Sequence, residues 1–227
     1  MTGLVASLAR AAALLLSRDP DALAAIGLSF RAALTSTALG TLVGAPLGLA
    51  VGVGRFRGRD AVQTVLQSLL ALPTVVVGLA IYLLISRRGP LGSLGLLFTP
   101  AAIILGQIVL AVPVVAAHTA AAARALDPRA RETALALGAG PFRLLATVAG
   151  ELRVPLCTAV AAAFGRVISE IGVAMILGGN IRGETRTMTT TIALETAKGD
   201  FELALALGLV LVSVVLVLNT IALRLQK

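Results

Sequence analysis

The sequence predicts an all-α polytopic membrane protein with about five transmembrane helices and an N-terminal interfacial helix. Two features of the composition support this prediction: 58% of the 227 residues are hydrophobic and only 13% are charged. A soluble domain has about 45–50% apolar and about 25% charged residues, so too few polar groups remain here to cover a water-facing surface. The third feature is length, because several apolar runs reach the roughly 20 residues that a helix needs to cross the bilayer core.

Five apolar runs reach that length, and they cover residues 26–54, 62–86, 100–123, 155–177 and 203–223. Their apolar residues do not alternate with a period of two, so helices rather than barrel strands are expected. A shorter run over residues 4–16 is interrupted by Arg10 and closed by Arg18. It predicts an amphipathic helix at the membrane interface, with a cleaved signal peptide as the alternative. No change in composition marks a second domain, so residues 1–227 are expected to form a single transmembrane domain.

The basic residues indicate how the helices are oriented. Ten Lys and Arg residues lie on one side, in residues 55–59, residues 124–153 and the C-terminal end, and seven lie on the other. Cytoplasmic loops carry the excess of positive charge, so we expect the N-terminus outside the cell membrane and the C-terminus in the cytoplasm. The net charge of +8 does not indicate nucleic-acid binding, because the basic residues form no stripe with interleaved aromatic residues.

The cytoplasmic loop of about residues 124–154 has a helical pattern of its own. Asp127 and Pro128 form a helix-start signal, and Gly138 stands where a C-cap glycine ends a helix. Gly140 and the proline after it then restart the chain into a second helical segment. The loop therefore predicts a helix, a tight turn and a helix, which together form either a docking surface for a partner or a solvated connector.

The same loop carries a motif that resembles a known family. Glu132-Thr-Ala followed after three residues by Gly138 is similar to the E-A-A-x-x-x-G motif of ABC importer permeases. Gly150 and Glu151 stand where that motif usually continues with Leu-Pro, which is a departure from the pattern. The resemblance covers about residues 28–223. Residues 72–78, 164–172 and 175–181 resemble the molybdate, sulfate and tungstate permeases, and residues 182–191 and 194–200 resemble the tungstate branch most.

This resemblance implies a type I ABC importer permease fold and the import of a tetrahedral oxyanion, tungstate first and molybdate or sulfate next. Two copies of the chain would form the path, a cytoplasmic ABC ATPase dimer would bind the loops, and an extracytoplasmic binding protein would deliver the anion. The residues that would contact the ATPase are Glu132, Thr133, Ala134, Gly138 and Ala139.

In this reading the chain is a transport subunit rather than an enzyme and binds no cofactor, because ATP and magnesium act on the partner ATPase. The lysines of the sequence agree with this expectation. A Walker A loop ends in Gly-Lys-Ser/Thr, and neither Lys198 nor Lys227, the only lysines, follows a glycine.

Polar residues within the spans are candidates for the translocation path or its gate. Arg166 and Glu170 are four residues apart, so a helix brings both side chains onto one face. They either line the path or form a salt bridge that holds helices or subunits together, because ionised groups in a span face a cavity or a partner. Pro73 and Thr74, where a proline kinks the second span, are further candidates for the path.

The outer end of the fourth span contributes two more candidates. Asn180 follows two glycines, so it either ends the helix or faces the outer mouth of the path. Thr187 lies in a threonine-rich segment over residues 182–191 that also contains Arg182 and Arg186. Hydroxyls and guanidinium groups suit a tetrahedral oxyanion, although a solvated loop has the same composition.

Two other classes of function remain as alternatives. A stand-alone secondary transporter would be expected to show internal repeats and more ionisable residues within its spans. A membrane-embedded enzyme would need a nucleophile, a base or a metal set within the spans. His118 and Cys157 are the only histidine and cysteine, so neither a catalytic set nor a metal site is expected.

Overall fold

The computed structural model describes residues 19–54, 56–126, 149–225 and five single residues between 136 and 147. Within these ranges the chain is helical and contains no strand, which confirms the all-α prediction. The predicted interfacial helix over residues 4–16 lies outside the described residues. The described helices are α1 Pro20–Val53, α2 Arg59–Leu70, α3 Thr74–Ile85, α4 Pro100–Ala125, α5 Arg153–Ile168, α6 Gly172–Gly178, α7 Met188–Lys198 and α8 Phe201–Leu225.

The first span begins earlier than the hydropathy pattern predicts, at Pro20 rather than at residue 26. The Asp19 carboxylate caps α1 by accepting a hydrogen bond from the Ala22 N–H at 2.8 Å. Pro20 occupies the first helical position, where its missing N–H costs no hydrogen bond. The helix runs for 34 residues, about 50 Å at 1.5 Å per residue, so it extends beyond the hydrocarbon core of a bilayer.

Two of the five predicted spans are interrupted, and the kink expected at Pro73 lies in one of them. The run over residues 62–86 divides into α2 and α3, which are bent by 97°, and the run over residues 155–177 divides into α5 and α6, bent by 56°. Pro73 precedes α3, and a proline favours a bend here because it has no N–H to donate and its ring crowds the preceding turn of a helix. Within the described residues α1, α4 and α8 are long and apolar enough to cross a membrane, and five spans result if each bent pair counts as one.

The threonines of the threonine-rich segment are buried, so the interpretation as a solvated loop is wrong for them, whereas residues 182–184 form an exposed turn. Thr187 begins α7 with a capping box, in which its side chain accepts from the Thr190 N–H and the Thr190 hydroxyl accepts from the Thr187 N–H. The helix ends at Gly199, whose φ of 83° is a left-handed conformation. Five threonines of the segment are at most 3% exposed, and these are Thr185, Thr187, Thr189, Thr190 and Thr191.

The helices α1 and α4 are in close contact along most of their length because glycines on α1 let the two backbones approach. At Gly48 an added Cβ would lie 2.5 Å from the carbonyl oxygen of Ala116 on α4. Small residues permit this kind of contact between membrane helices. The glycines on this face of α1, spaced four residues apart, are Gly40, Gly44, Gly48 and Gly52. Since α4 also packs on α5 and α6, it lies at the centre of the bundle.

The last helix, α8, lies at the edge of the bundle. Ala206 and Leu207 on its inner side are fully buried, whereas Leu216 and Val217 on its outer side are more than half exposed. A large apolar surface of this kind is expected to contact lipid or another membrane helix. The core of the protein therefore consists mainly of α1, α4, α5 and α6.

Candidate functional site

The break between α5 and α6 is built around Glu170. Its Oε2 accepts a hydrogen bond from Arg166 Nη1 at 2.7 Å, and its Oε1 accepts from the backbone N–H of Val173 at 3.3 Å. The Glu170 side chain is 2% exposed, whereas that of Arg166 is 38% exposed. The two residues thus form the ion pair that their spacing predicts, with the carboxylate buried and the arginine reaching the surface. A role for either residue in a translocation path stays a prediction.

Side chains from other helices satisfy the backbone at this break. Gln107 Nε2 on α4 donates to the carbonyl oxygen of Val167 at 3.0 Å, and Thr189 Oγ1 on α7 donates to that of Glu170 at 2.8 Å. Ser36 on α1 donates to Gln107 Oε1 at 3.1 Å. An unpaired backbone group at membrane depth costs several kcal/mol, so these contacts, which join four helices, stabilise the interruption.

Ser36 and Gln107 belong to this site as well, and neither is among the site residues predicted from the sequence. Both are polar residues within apolar runs, and they are 0% and 3% exposed. A polar side chain in a span needs a partner in the protein, and this signal could have marked both as buried and bonded. It could not have identified their partners, because 71 positions separate Ser36 from Gln107.

The break between α2 and α3 lies against the break between α5 and α6. At Gly172, the first residue of α6, an added Cβ would lie 2.7 Å from Thr74 Oγ1 and 3.0 Å from the backbone nitrogen of Val75. The structure therefore brings Thr74 next to the segment that contains Glu170. Pro73, the residue before α3, is exposed beside this contact.

Thr187 joins the same region through its neighbours. Its hydroxyl is buried and lies 3.1 Å from the hydroxyls of both Thr189 and Thr190. Thr189 in turn donates to the Glu170 carbonyl group. The Thr187 hydroxyl is therefore directed to the hydroxyls at the start of α7, inside the protein.

Asn180 lies at the opposite end of α6 and does not join this cluster. Gly179 caps the helix with a φ of 69°, and its N–H donates to the Met175 carbonyl oxygen at 3.0 Å. The predicted helix end at these glycines is confirmed. Asn180 follows with a φ of 53°, and its Oδ1 is buried with no hydrogen-bond partner among the described residues. Its place at an outer mouth stays a prediction.

The turn predicted in the loop of about residues 124–154 is confirmed at one residue. Gly138 has a φ of 76°, the left-handed conformation that a C-cap glycine adopts. An added Cβ there would meet no atom within 4 Å, so the requirement for glycine is conformational. The other predicted contacts of the ATPase lie outside the described residues, and these are Glu132, Thr133, Ala134 and Ala139.

Helices interrupted inside a bundle of apolar spans are typical of membrane transport proteins, since non-helical backbone at membrane depth is tolerated only where protein or a water-filled cavity surrounds it. The fold and the two breaks thus define a multi-pass helical membrane protein of the transport class. The sequence pattern of the family described as "Binding-protein-dependent transport system inner membrane component" matches residues 44–227. The chain belongs to this family.

Three similar proteins agree with this assignment. A tungstate uptake system permease protein of Peptoclostridium acidaminophilum is 39% identical over 94% of both chains. A probable anion ABC transporter permease protein of Haloferax volcanii is 39% identical over 83% of this chain and 84% of its own. A molybdenum transport system permease protein of Azotobacter vinelandii is 32% identical over 75% and 79%. The predicted resemblance to ABC importer permeases is confirmed, and the chain is an inner-membrane component of a binding-protein-dependent transport system.

Proposed function

We propose that this chain is the membrane-spanning permease of an ATP-driven importer for a divalent tetrahedral oxyanion, most directly tungstate. The choice of substrate is supported by the sequence identity between this chain and its relatives. The relative named for tungstate is 39% identical, whereas the relatives named for molybdenum and sulfate transport are 32% and 30% identical. Molybdate and sulfate are therefore the alternatives within the same class of anion.

The observation that supports a transport role most directly is the position of the Arg166–Glu170 pair at the break in the fourth span. A charged side chain in a span has to face a partner, a cavity or water. Glu170 is buried, but 38% of the Arg166 side chain is exposed, so something polar has to cover this face. A path beside Arg166 would present a guanidinium group to an anion, with the repelling carboxylate turned inward.

A second copy of the chain supplies the other wall of this path in the proposal. The two breaks leave Pro73 exposed and Arg166 partly exposed. A homodimer that places these surfaces opposite each other would enclose a polar path between two apolar subunits. In such an arrangement the two Arg166 side chains would face a polar path and would not be exposed to lipid.

The partner ATPase binds the cytoplasmic loops in this proposal, with Glu132, Thr133, Ala134 and Ala139 beside the turn at Gly138. ATP and magnesium act on that ATPase, and this chain binds no cofactor. The left-handed φ of Gly138 supports a fixed turn in this loop, as a docking element would need. A separate binding protein delivers the anion on the outer side.

We place the N-terminus outside and the C-terminus in the cytoplasm, in agreement with the distribution of basic residues. A single cysteine at Glu184, an exposed residue between α6 and α7, should then react with a membrane-impermeant maleimide on intact cells. A single cysteine at the exposed Arg57 should react only after the membrane is permeabilised. Both variants need Cys157→Ser as background. Labelling with the reverse sidedness would exclude this orientation.

Transport is tested by reconstituting the chain with its ATPase and its binding protein in proteoliposomes. Uptake of tungstate should require ATP, and excess molybdate should reduce it more than excess amino acid or sugar does. An ATPase variant that cannot hydrolyse ATP is the control for passive leakage. Tungstate accumulation without ATP, or uptake that no oxyanion inhibits, would contradict the proposal.

A further inference from the structure

A basic cavity lies apart from the two broken spans. It has a volume of about 330 Å³ and is formed between the first turns of α1 and the segment that links α6 to α7. In the proposed orientation both elements are on the outer side of the membrane. Its charged lining residues are Asp21, Arg31, Arg182, Glu184 and Arg186. Three guanidinium groups thus face two carboxylates, which leaves a positive excess.

Only one of the three arginines is neutralised by an ion pair. Arg182 Nε donates to Asp21 Oδ1 at 2.9 Å, and its Nη2 donates to Asp21 Oδ2. This hydrogen-bonded carboxylate raises the pKa of Arg182 above its usual range. Arg31 and Arg186 form no ion pair with any residue that the structure describes. The cavity therefore keeps two guanidinium groups that a negative ligand could neutralise.

Arg186 lines this cavity and has a donor left unsatisfied by the described residues. Its Nε is buried and has no hydrogen-bond partner within the described part of the chain. A buried N–H without an acceptor is unfavourable, and more so when the group is charged. An oxyanion in the cavity would provide the acceptor, and a guanidinium group matches a tetrahedral oxyanion with two parallel donors.

Arg31 supports the same conclusion from a different element. It lies about three turns into α1, a helix otherwise long and apolar enough to cross the membrane. Arg31 is exposed on this helix, and a charged side chain within a span requires an aqueous cavity or a negative partner. Arg31 lines the cavity, which provides the aqueous surroundings, and a bound anion would provide the negative partner.

We propose that this cavity is an anion-binding site in each protomer, which holds the oxyanion on the outer side before it reaches the path between the subunits. The inference rests on the proposed import of an oxyanion. Asp21 competes with the anion for Arg182, so the site releases its ligand more readily than three free arginines would. The phosphate of an anionic lipid has the same chemistry, and the experiment has to separate the two sources.

The test measures binding of inorganic tungstate to the purified permease–ATPase complex in phosphatidylcholine nanodiscs, without the binding protein, by equilibrium dialysis and elemental analysis. Arg31→Gln and Arg186→Gln should each weaken binding about tenfold or more, as expected for a lost charge-assisted hydrogen bond. Asp21→Asn should tighten binding, because it removes the competing carboxylate. Arg88→Gln is the matched control, since Arg88 is exposed and lies outside this cavity.

Several results would overturn the inference. The wild-type complex could bind no tungstate, or Arg31→Gln and Arg186→Gln could both bind it as the wild type does. Abolition of tungstate binding by nanodiscs containing anionic lipid would assign the cavity to a lipid headgroup instead. Reconstituted uptake separates this inference from the proposed function. Normal ATP-driven uptake with unchanged binding in both variants contradicts only the cavity, whereas absent uptake by the wild type contradicts the proposed function.

Discussion

Replacing Gly138 by valine should reduce ATP-driven uptake about tenfold or more while the amount of membrane-inserted protein stays near that of the wild type. The φ of Gly138 is 76°, and an L-residue in this conformation is disfavoured by about 1–2 kcal/mol, with β-branched residues affected most. A turn that relaxes to negative φ would reorient the loop that we propose to bind the ATPase. Three measurements on one variant test this: inserted protein, co-purified ATPase, and uptake together with ATP hydrolysis.

Gly140→Val is the matched control for this prediction. Gly140 lies two residues further along the same loop, and its added Cβ also meets no atom within 4 Å, but Gly140 is not among the residues with positive φ. The control should therefore retain both ATPase binding and uptake. If Gly138→Val transports normally with full recovery of the ATPase, the loop is only a connector and the coupling proposal is wrong.

Arg166→Gln should destabilise the complex on the order of 2 kcal/mol, and adding Glu170→Gln should restore most of this loss. Removing one partner of a buried ion pair leaves the other charge unpaired, whereas replacing both partners is often close to neutral. We place the loss below the usual range for buried pairs because the Arg166 side chain is 38% exposed. The measurement is the thermal unfolding of the wild type, the single variant and the double variant in nanodiscs of the same lipid.

Arg153→Gln serves as the control, because Arg153 is an exposed arginine at the start of the same helix, α5. It should unfold at the temperature of the wild type. An Arg166→Gln variant as stable as this control would show that the ion pair contributes nothing measurable. The double variant also separates the two interpretations of the pair. Restored stability with restored uptake assigns a structural role, and restored stability without uptake assigns Arg166 to the path.

Local sequence patterns were enough to predict the membrane class and several details of the backbone. The apolar runs identified the regions of all the described helices except α7, and the Arg166–Glu170 spacing predicted an ion pair that the structure contains. Local patterns also predicted the helix end before Asn180 and the turn at Gly138, and the structure contains both. Each of these features depends on residues within about one helical turn, so the order of residues along the chain was sufficient.

The interruption of the fourth span depended on the tertiary structure, whereas Pro73 already indicated a kink in the second. The apolar run of the fourth span did not reveal its break, because an interrupted helix and a continuous one can have the same apolar composition. What permits the break at Glu170 is a set of hydrogen bonds from distant residues: Gln107 is 60 positions from Val167, and Thr189 is 19 positions from Glu170. Without those partners the freed carbonyl groups would be unpaired in lipid.

The outer cavity and the buried threonines show the same division between local pattern and tertiary structure. Composition alone left residues 182–191 as either an oxyanion-binding segment or a solvated loop. Folding buries the threonines at the start of α7 and brings Arg182 to Asp21, from which 161 positions separate it. Side-chain polarity limits which partners a residue accepts, but only the packing of α1 against the link between α6 and α7 decides which partner each arginine meets.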